Sequence, residues 1–160
     1  MSLSDNLYRE TILDHYHYPR HRGVIDNATA SVEGVNPLCG DELTLYLQVE
    51  NNTIKDIKLT AKGCSINTAS GSMMSEAVVG KSLAEAQAII ESFKQMMLES
   101  LSTDVSLPEN MEELESLQGV KKYPVRIKCA ILPWNTLAQA IKDASAGHKN
   151  VGQKSKVEMN

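Results

Sequence analysis

The sequence predicts a mixed fold in which helices flank a three-stranded antiparallel sheet, and three features carry that reading. Leu43, Leu45, Leu47 and Val49 alternate with Thr44, Tyr46 and Gln48, the period of two of a half-buried strand. Asn51-Asn52 then supplies a turn, and Ile54, Ile57 and Leu59 resume the apolar pattern beyond it, so the pair reads as a β-hairpin. Before and after this block, apolar residues recur at helical spacing.

In chain order, Ser4 or Asp5 caps a helix over 4–17 whose apolar face is Leu7, Tyr8, Ile12, Leu13 and Tyr16. Pro19 ends it. His15, His17, Arg20, His21 and Arg22 follow as a basic, imidazole-rich patch, read either as a docking surface, as a metal site or as a solvated helix end. His15 and His17 stand two apart and do not share a helix face, so they are not assigned as ligands. A short strand over 31–35 joins the hairpin as the third of the sheet. Past Cys64, the small residues 65–72 lead into a helix reaching about Val79, and Gly80-Lys81 breaks it. Ser82 with Glu85 forms a capping box for the next helix, through Leu83, Ala86, Ile90, Phe93 and Met97. Met96-Met97 reads as core. Residues 98–110 read as a linker into a short acidic helix over 109–117, stopped by Gly119. A last helix follows Tyr123-Pro124, with Pro133 expected to kink or restart it and Trp134 as an anchor. Residues 1–145 form a single domain, and 146–160, poor in apolar residues, are expected to be a disordered tail.

The 160 residues suffice for one core without disulfide staples, and three cysteines fit a disulfide framework poorly. With 16 Lys and Arg against 20 Asp and Glu, the net charge of −4 lacks the basic excess of a nucleic-acid binder. No apolar run approaches the roughly 20 residues of a membrane span. The first residues lack the basic stretch and apolar core of a secretory signal, so a cytoplasmic location with reduced thiols is expected.

The chemistry gathers around Asn36-Pro37-Leu38-Cys39-Gly40-Asp41. A thiol and a carboxylate hinged on glycine can turn toward one point if the backbone bends tightly. The competing readings are a solvated turn aspartate and a buried apolar thiol. A hairpin returns the chain to where it began, so Cys39, Asp41 and Cys64 meet at one end of the sheet. Cys64 falls at a helix start, where the macrodipole favours a thiolate. If Cys129 approaches as well, three Cys and one Asp complete a tetrahedral set that suits zinc.

Three motifs in order, Pro37-Leu38-Cys39-Gly40-Asp41, Gly63-Cys64-Ser65-Ile66 and Arg126-Ile127-Lys128-Cys129-Ala130, resemble the cysteine motifs of the IscU/NifU-N family of iron–sulfur assembly proteins. The pattern spans roughly residues 7–144. The segment over 98–122 and the ending Leu132-Pro133-Trp134 are most similar to the SufU branch. This resemblance implies an α+β fold, a small three-stranded antiparallel sheet covered by helices. It also implies Zn2+ held by Cys39, Asp41, Cys64 and Cys129, and a SufS-like cysteine desulfurase as partner, with downstream iron–sulfur assembly proteins as recipients. Two departures from IscU proper stand out. Lys128 occupies the place of a His before the third Cys, which weakens a cluster-scaffold role. Tyr123-Pro124-Val125-Arg126 replaces its Leu-Pro-Pro-Val-Lys chaperone-docking motif.

The expected activity is a zinc-dependent sulfurtransferase with Cys39 as the persulfide acceptor, since a loop thiolate beside Gly40 can move. Arg126 and Lys128 are candidates for stabilising thiolate or persulfide charge. The alternatives are a scaffold for a transient [2Fe–2S] cluster on the same residues and a structural zinc module that only binds partners.

Overall fold

The computed structural model describes residues 3–98, 112–146 and 155–159. Helix α1, Leu3–His17, precedes three strands, β1 (Ala30–Asn36), β2 (Asp41–Glu50) and β3 (Thr53–Lys62). Helices α2 (Ser65–Val78) and α3 (Leu83–Leu98) follow, then a short α4 (Glu112–Glu115) running into a 3-10 turn over Ser116–Lys122. The chain closes with α5 (Pro124–Ser145) and β4 (Ser155–Glu158). The side chains of Leu7 and Tyr8, and residues 99–111 of the expected linker and acidic helix, lie outside the described residues.

The sheet order is β3-β2-β1-β4. β1 and β2 pair antiparallel from Ala30 opposite Leu47 to Asn36 opposite Asp41, and β2 pairs antiparallel with β3. Asn51 and Asn52 both take positive φ, 54° and 57°, which is the type I′ geometry that matches strand twist. β4 is the difference from expectation: the sheet has four strands rather than three, because Ser155–Glu158, within the stretch expected to be disordered, pairs parallel to β1. β1 would otherwise present an open edge. Met159 N–H donates to Val35 C=O at 2.9 Å, and Val157 and Met159 rest against the core.

Val32, Leu43, Leu45, Leu47 and Ile57 form the inward face of the sheet, each at most 3% exposed. α5 lies across β1 and β2, and α2 packs on β3 and on α5, with α1 outside α2. The capping box forms as read: Glu85 N–H donates to Ser82 Oγ at 3.1 Å and Ser82 N–H to Glu85 Oε1 at 3.3 Å. Trp134 is fully buried and stacks on Phe93, ring centroids 4.2 Å apart, and Met96 and Met97 are core.

Of the two outcomes expected at Pro133, the restart does not occur, since α5 continues as one helix through it. Gly119 does not stop the acidic segment, which tightens into the 3-10 turn and buries Leu117 and Val120. His15 is also no solvated helix end. It is 1% exposed, with Nδ1 2.7 Å from Ser72 Oγ and Nε2 2.6 Å from Glu113 Oε2. Among the described residues no helix is long and apolar enough to cross a membrane.

Candidate metal centre

The alternation that buries Leu43, Leu45 and Leu47 places Asp41 at the first inward position of β2, and its side chain is fully buried. A carboxylate there must be compensated. Asn36, its partner across the ladder, is equally buried. The turn between them carries Cys39, whose N–H donates to Asn36 C=O at 3.3 Å. Gly40 adopts φ 70°, in the left-handed region. Leu38 at the tip is 69% exposed, and Cys39 beneath it is half-buried.

β3 returns the chain to the same end, with Lys62 opposite Glu42, and delivers Gly63-Cys64 to Asp41. Gly63 has φ 123°, and a Cβ there would meet the Asp41 Cα at 2.8 Å, so backbone and carboxylate come together only because the side chain is missing. Cys64 N–H donates to Asp41 Oδ1 at 2.8 Å, and Cys64 Sγ lies 3.8 Å from Oδ2. Cys64, the N-cap residue of α2, makes no side-chain cap and the first turn holds no acidic residue. Asp41 supplies the negative charge at that helix start from another element.

α5 brings the third thiol. Ser70 on α2 donates to Ala130 C=O at 2.6 Å and accepts from Trp134 Nε1–H at 3.0 Å, clamping the two helices on either side of Leu132 and Pro133. Cys129 is fully buried, and Asn36 Nδ2–H donates to its Sγ at 3.8 Å. Sγ of Cys39, a carboxylate oxygen of Asp41 and Sγ of Cys129 all lie within 4.8 Å of one another. Cys64 falls outside that set and adjoins it at Asp41 and at Cys129.

The donors fit a metal ion. Tetrahedral zinc, with sulfur at about 2.3 Å and oxygen at about 2.0 Å, needs donors about 3.5–3.8 Å apart, a contraction within reach of small side-chain rotations. Soft sulfurs with one hard oxygen, held in a largely buried site, are a donor set for zinc or iron rather than for calcium or magnesium. Burial pushes the Cys129 thiol well above its ordinary range, and hydrogen bonds with Asp41, Cys39 and Cys64 push the same way. Arg126, on the first turn of α5, has its own pKa raised, chiefly by the charge of the neighbouring Cys64 sulfur and also by Cys129.

Of the four residues singled out from the sequence, Cys39, Asp41 and Cys129 gather within 4.8 Å of one another and Cys64 stands beside Asp41, so Cys129 makes the approach that spacing alone does not establish. Asn36 was missed as a second contact of the site. The alternation of β1, which turns Ala30, Val32 and Gly34 inward, is the signal that would have found it. The histidine patch does not join the centre: His15 is tied to Ser72 and Glu113, and His21 Nε2 lies 3.1 Å from Glu76 Oε1.

A small α+β domain with three thiols and a carboxylate at one end of its sheet is a domain with the donors to hold a metal. Residues 7–130 match the NifU-like N-terminal domain model, and the chain belongs to that family. It is 38% identical over 144 residues to a zinc-dependent sulfurtransferase SufU of Bacillus subtilis, covering 90% of this chain and 95% of that one. It is 40% identical over 149 residues to the iron–sulfur cluster assembly scaffold protein IscU of Streptococcus pyogenes, covering 92% and 91%. A crystal structure from Fervidobacterium islandicum AW-1, assigned as an iron–sulfur cluster assembly scaffold for the SUF system, superposes with a TM-score of 0.76 at 37% identity, covering 86% of this chain and 98% of that one. The N-terminal part of a NifU-like protein from Brucella abortus shares the fold, TM-score 0.79 at 23% identity, covering 91% and 99%.

Proposed function

We propose that this protein serves iron–sulfur cluster assembly as a zinc-dependent sulfurtransferase, taking sulfur from the persulfide of a PLP-dependent cysteine desulfurase. The observation that carries the reading is the placement of Cys39. It belongs to a group of metal donors yet sits half-buried on a turn, under an exposed Leu38, whereas Cys129 is fully buried on a helix. Similarity to a zinc-dependent sulfurtransferase over 90% of the chain supports the same reading.

Cys39, Asp41, Cys64 and Cys129 would hold the zinc, which when bound keeps the thiols deprotonated at neutral pH. Cys39 is the acceptor. Its Sγ attacks the terminal sulfur of the desulfurase persulfide, a new S–S bond forms as the old one breaks, and the desulfurase cysteine leaves as thiolate. The transferred sulfur keeps its oxidation state, so no oxidant or reductant is consumed. Arg126 sets a fixed positive charge beside the sulfurs and offsets the anionic product. The Cys39 persulfide then passes its sulfur to downstream assembly proteins.

A second reading, a scaffold on which a [2Fe–2S] cluster is assembled as cargo, draws on the 40% identity to a protein named for that role. Desulfurase turnover measured with and without this protein, alongside metal analysis, separates the two. The sulfurtransferase reading expects stoichiometric colourless zinc and faster turnover. A coloured cluster that moves intact to an apo-ferredoxin, with no gain in turnover, would replace it with the scaffold.

A further inference from the structure

β1 turns Ala30, Val32, Gly34 and Asn36 inward in alternation, and Asn36, the last of them, is fully buried. An apolar side chain is the ordinary occupant of such a position. The amide instead donates from Nδ2–H to Cys129 Sγ at 3.8 Å, and its Oδ1 has no hydrogen-bond partner among the described residues. Leaving a buried acceptor open costs more than one N–H···S bond returns, so the amide does not serve the stability of the fold. What it supplies is a donor on a sulfur of the metal centre.

The same residue treats two of the sulfurs differently. Its side chain takes Cys129 at Sγ, whereas it ties Cys39 through the backbone, the Cys39 N–H donating to Asn36 C=O at 3.3 Å. Asp41 stands opposite Asn36 in the ladder. An N–H donor on a thiolate stabilises the anion, and a less basic thiolate is a weaker nucleophile. Such a donor also fixes the orientation of a sulfur that ligates a metal. Cys39 Sγ and Cys129 Sγ lie within 4.8 Å of each other, so a persulfide formed on Cys39 stands within reach of Cys129.

We propose that Asn36 is the positioning residue that holds Cys129 as the fixed metal ligand and so keeps it from reacting with sulfur carried on Cys39. The guarding of Cys39 rests on the sulfurtransferase reading, whereas the hold on Cys129 does not. Without the amide, Cys129 Sγ attacks the inner sulfur of a Cys39 persulfide. An S–S bond forms between the two cysteines, the persulfide S–S bond breaks, and the outer sulfur leaves as sulfide with the bonding pair. The Cys129 sulfur is oxidised and the leaving sulfur reduced, so no further reagent is consumed.

The test compares the unmodified chain with Asn36→Leu. In urea unfolding the metal-free variant should be at least as stable as the unmodified chain, because the donor and the open acceptor are removed together. Its zinc affinity, measured by competition with a chelator, should fall by about tenfold. Loaded with zinc and incubated with the desulfurase and cysteine, it should accumulate a Cys39–Cys129 disulfide and free sulfide, which the unmodified chain should not. A further measurement needs no variant: in the full chain loaded with ¹¹³Cd, the Asn36 side-chain amide protons should shift and show a scalar coupling to cadmium carried through the N–H···S bond. The hold on Cys129 is overturned by unchanged zinc affinity in a folded Asn36→Leu, by a loss of metal-free stability as large as the loss of zinc binding, or by amide protons that neither shift nor couple. The guarding role is overturned if Asn36→Leu forms no disulfide while the unmodified chain carries its sulfur on Cys39. An unmodified chain with no sulfur on Cys39 would instead sink the sulfurtransferase reading, and the zinc and cadmium results would still decide the hold on Cys129.

Discussion

Ser70→Ala tests how the third thiol is held. The hydroxyl joins α2 to α5 twice, donating to Ala130 C=O at 2.6 Å and accepting from Trp134 Nε1–H at 3.0 Å, and all three residues are fully buried. Without it the indole N–H loses its partner in a site closed to water, at a cost of about 1–3 kcal/mol, and the bond to Ala130 adds about 1 kcal/mol. The loss should total about 2–4 kcal/mol, and each kcal/mol lowers Tm by about 2–4 °C in a chain of this size. Because Cys129 adjoins Ala130, metal affinity should fall with it. Denaturant unfolding of Ser70→Ala, Trp134→Phe and the double variant checks this. Trp134→Phe removes the donor that Ser70→Ala strands, so the double variant should be more stable than the sum of the singles implies, by about 1 kcal/mol or more. Singles that add within about 0.5 kcal/mol, with metal affinity unchanged in Ser70→Ala, would refute the clamp.

Cys129→Ala should lose tight metal binding and with it the stabilisation that a ligand of the native state confers, measured as metal content after dialysis and as Tm with and without zinc. Full zinc occupancy in that variant would remove Cys129 from the site. In the metal-free protein the Cys129 thiol is held above its ordinary 9.0, chiefly by burial, so the folded state keeps a proton that the unfolded chain gives up. That stability is fully present below pH 9.0 and is lost as the pH rises above it. Thermal unfolding across that range should show the decline, and Cys129→Ser should flatten it. Ser82→Ala should cost about 1 kcal/mol by removing the cap of α3, read in urea unfolding. Ser82 also holds the Glu85 carboxyl below its usual value, so this contribution is present above pH 4.5 and fades as the pH falls through the lowered value. A Ser82→Ala variant of unchanged stability would contradict the capping box.

Much of the arrangement is legible in local chemistry. The alternation from Leu43 to Val49 fixes β2, Asn51-Asn52 fixes the hairpin, and Ser82 with Glu85 fixes the start of α3. The same alternation, extended back two residues from Leu43, turns Asp41 inward. What escapes is set by contacts between distant parts of the chain. Ser155–Glu158 has little apolar content, and its strand exists because β1 offers an open edge. His15 looks like a solvated helix end until Ser72 and Glu113, both remote in sequence, close over it. α5 runs on through Pro133, held there by packing against α2 and the sheet. The unpartnered amide of Asn67 likewise appears only once α2 is laid against the sheet.

The most direct test of the sulfurtransferase account is to locate the sulfur. The zinc-loaded protein is incubated with the cysteine desulfurase and cysteine, and its peptides are mapped by mass spectrometry under conditions that preserve persulfides. The account predicts one added sulfur on Cys39, none on Cys64 or Cys129, and none at all in Cys39→Ser despite a retained fold. Sulfur found on Cys64 or Cys129 and never on Cys39, or transfer undiminished in Cys39→Ser, would contradict it.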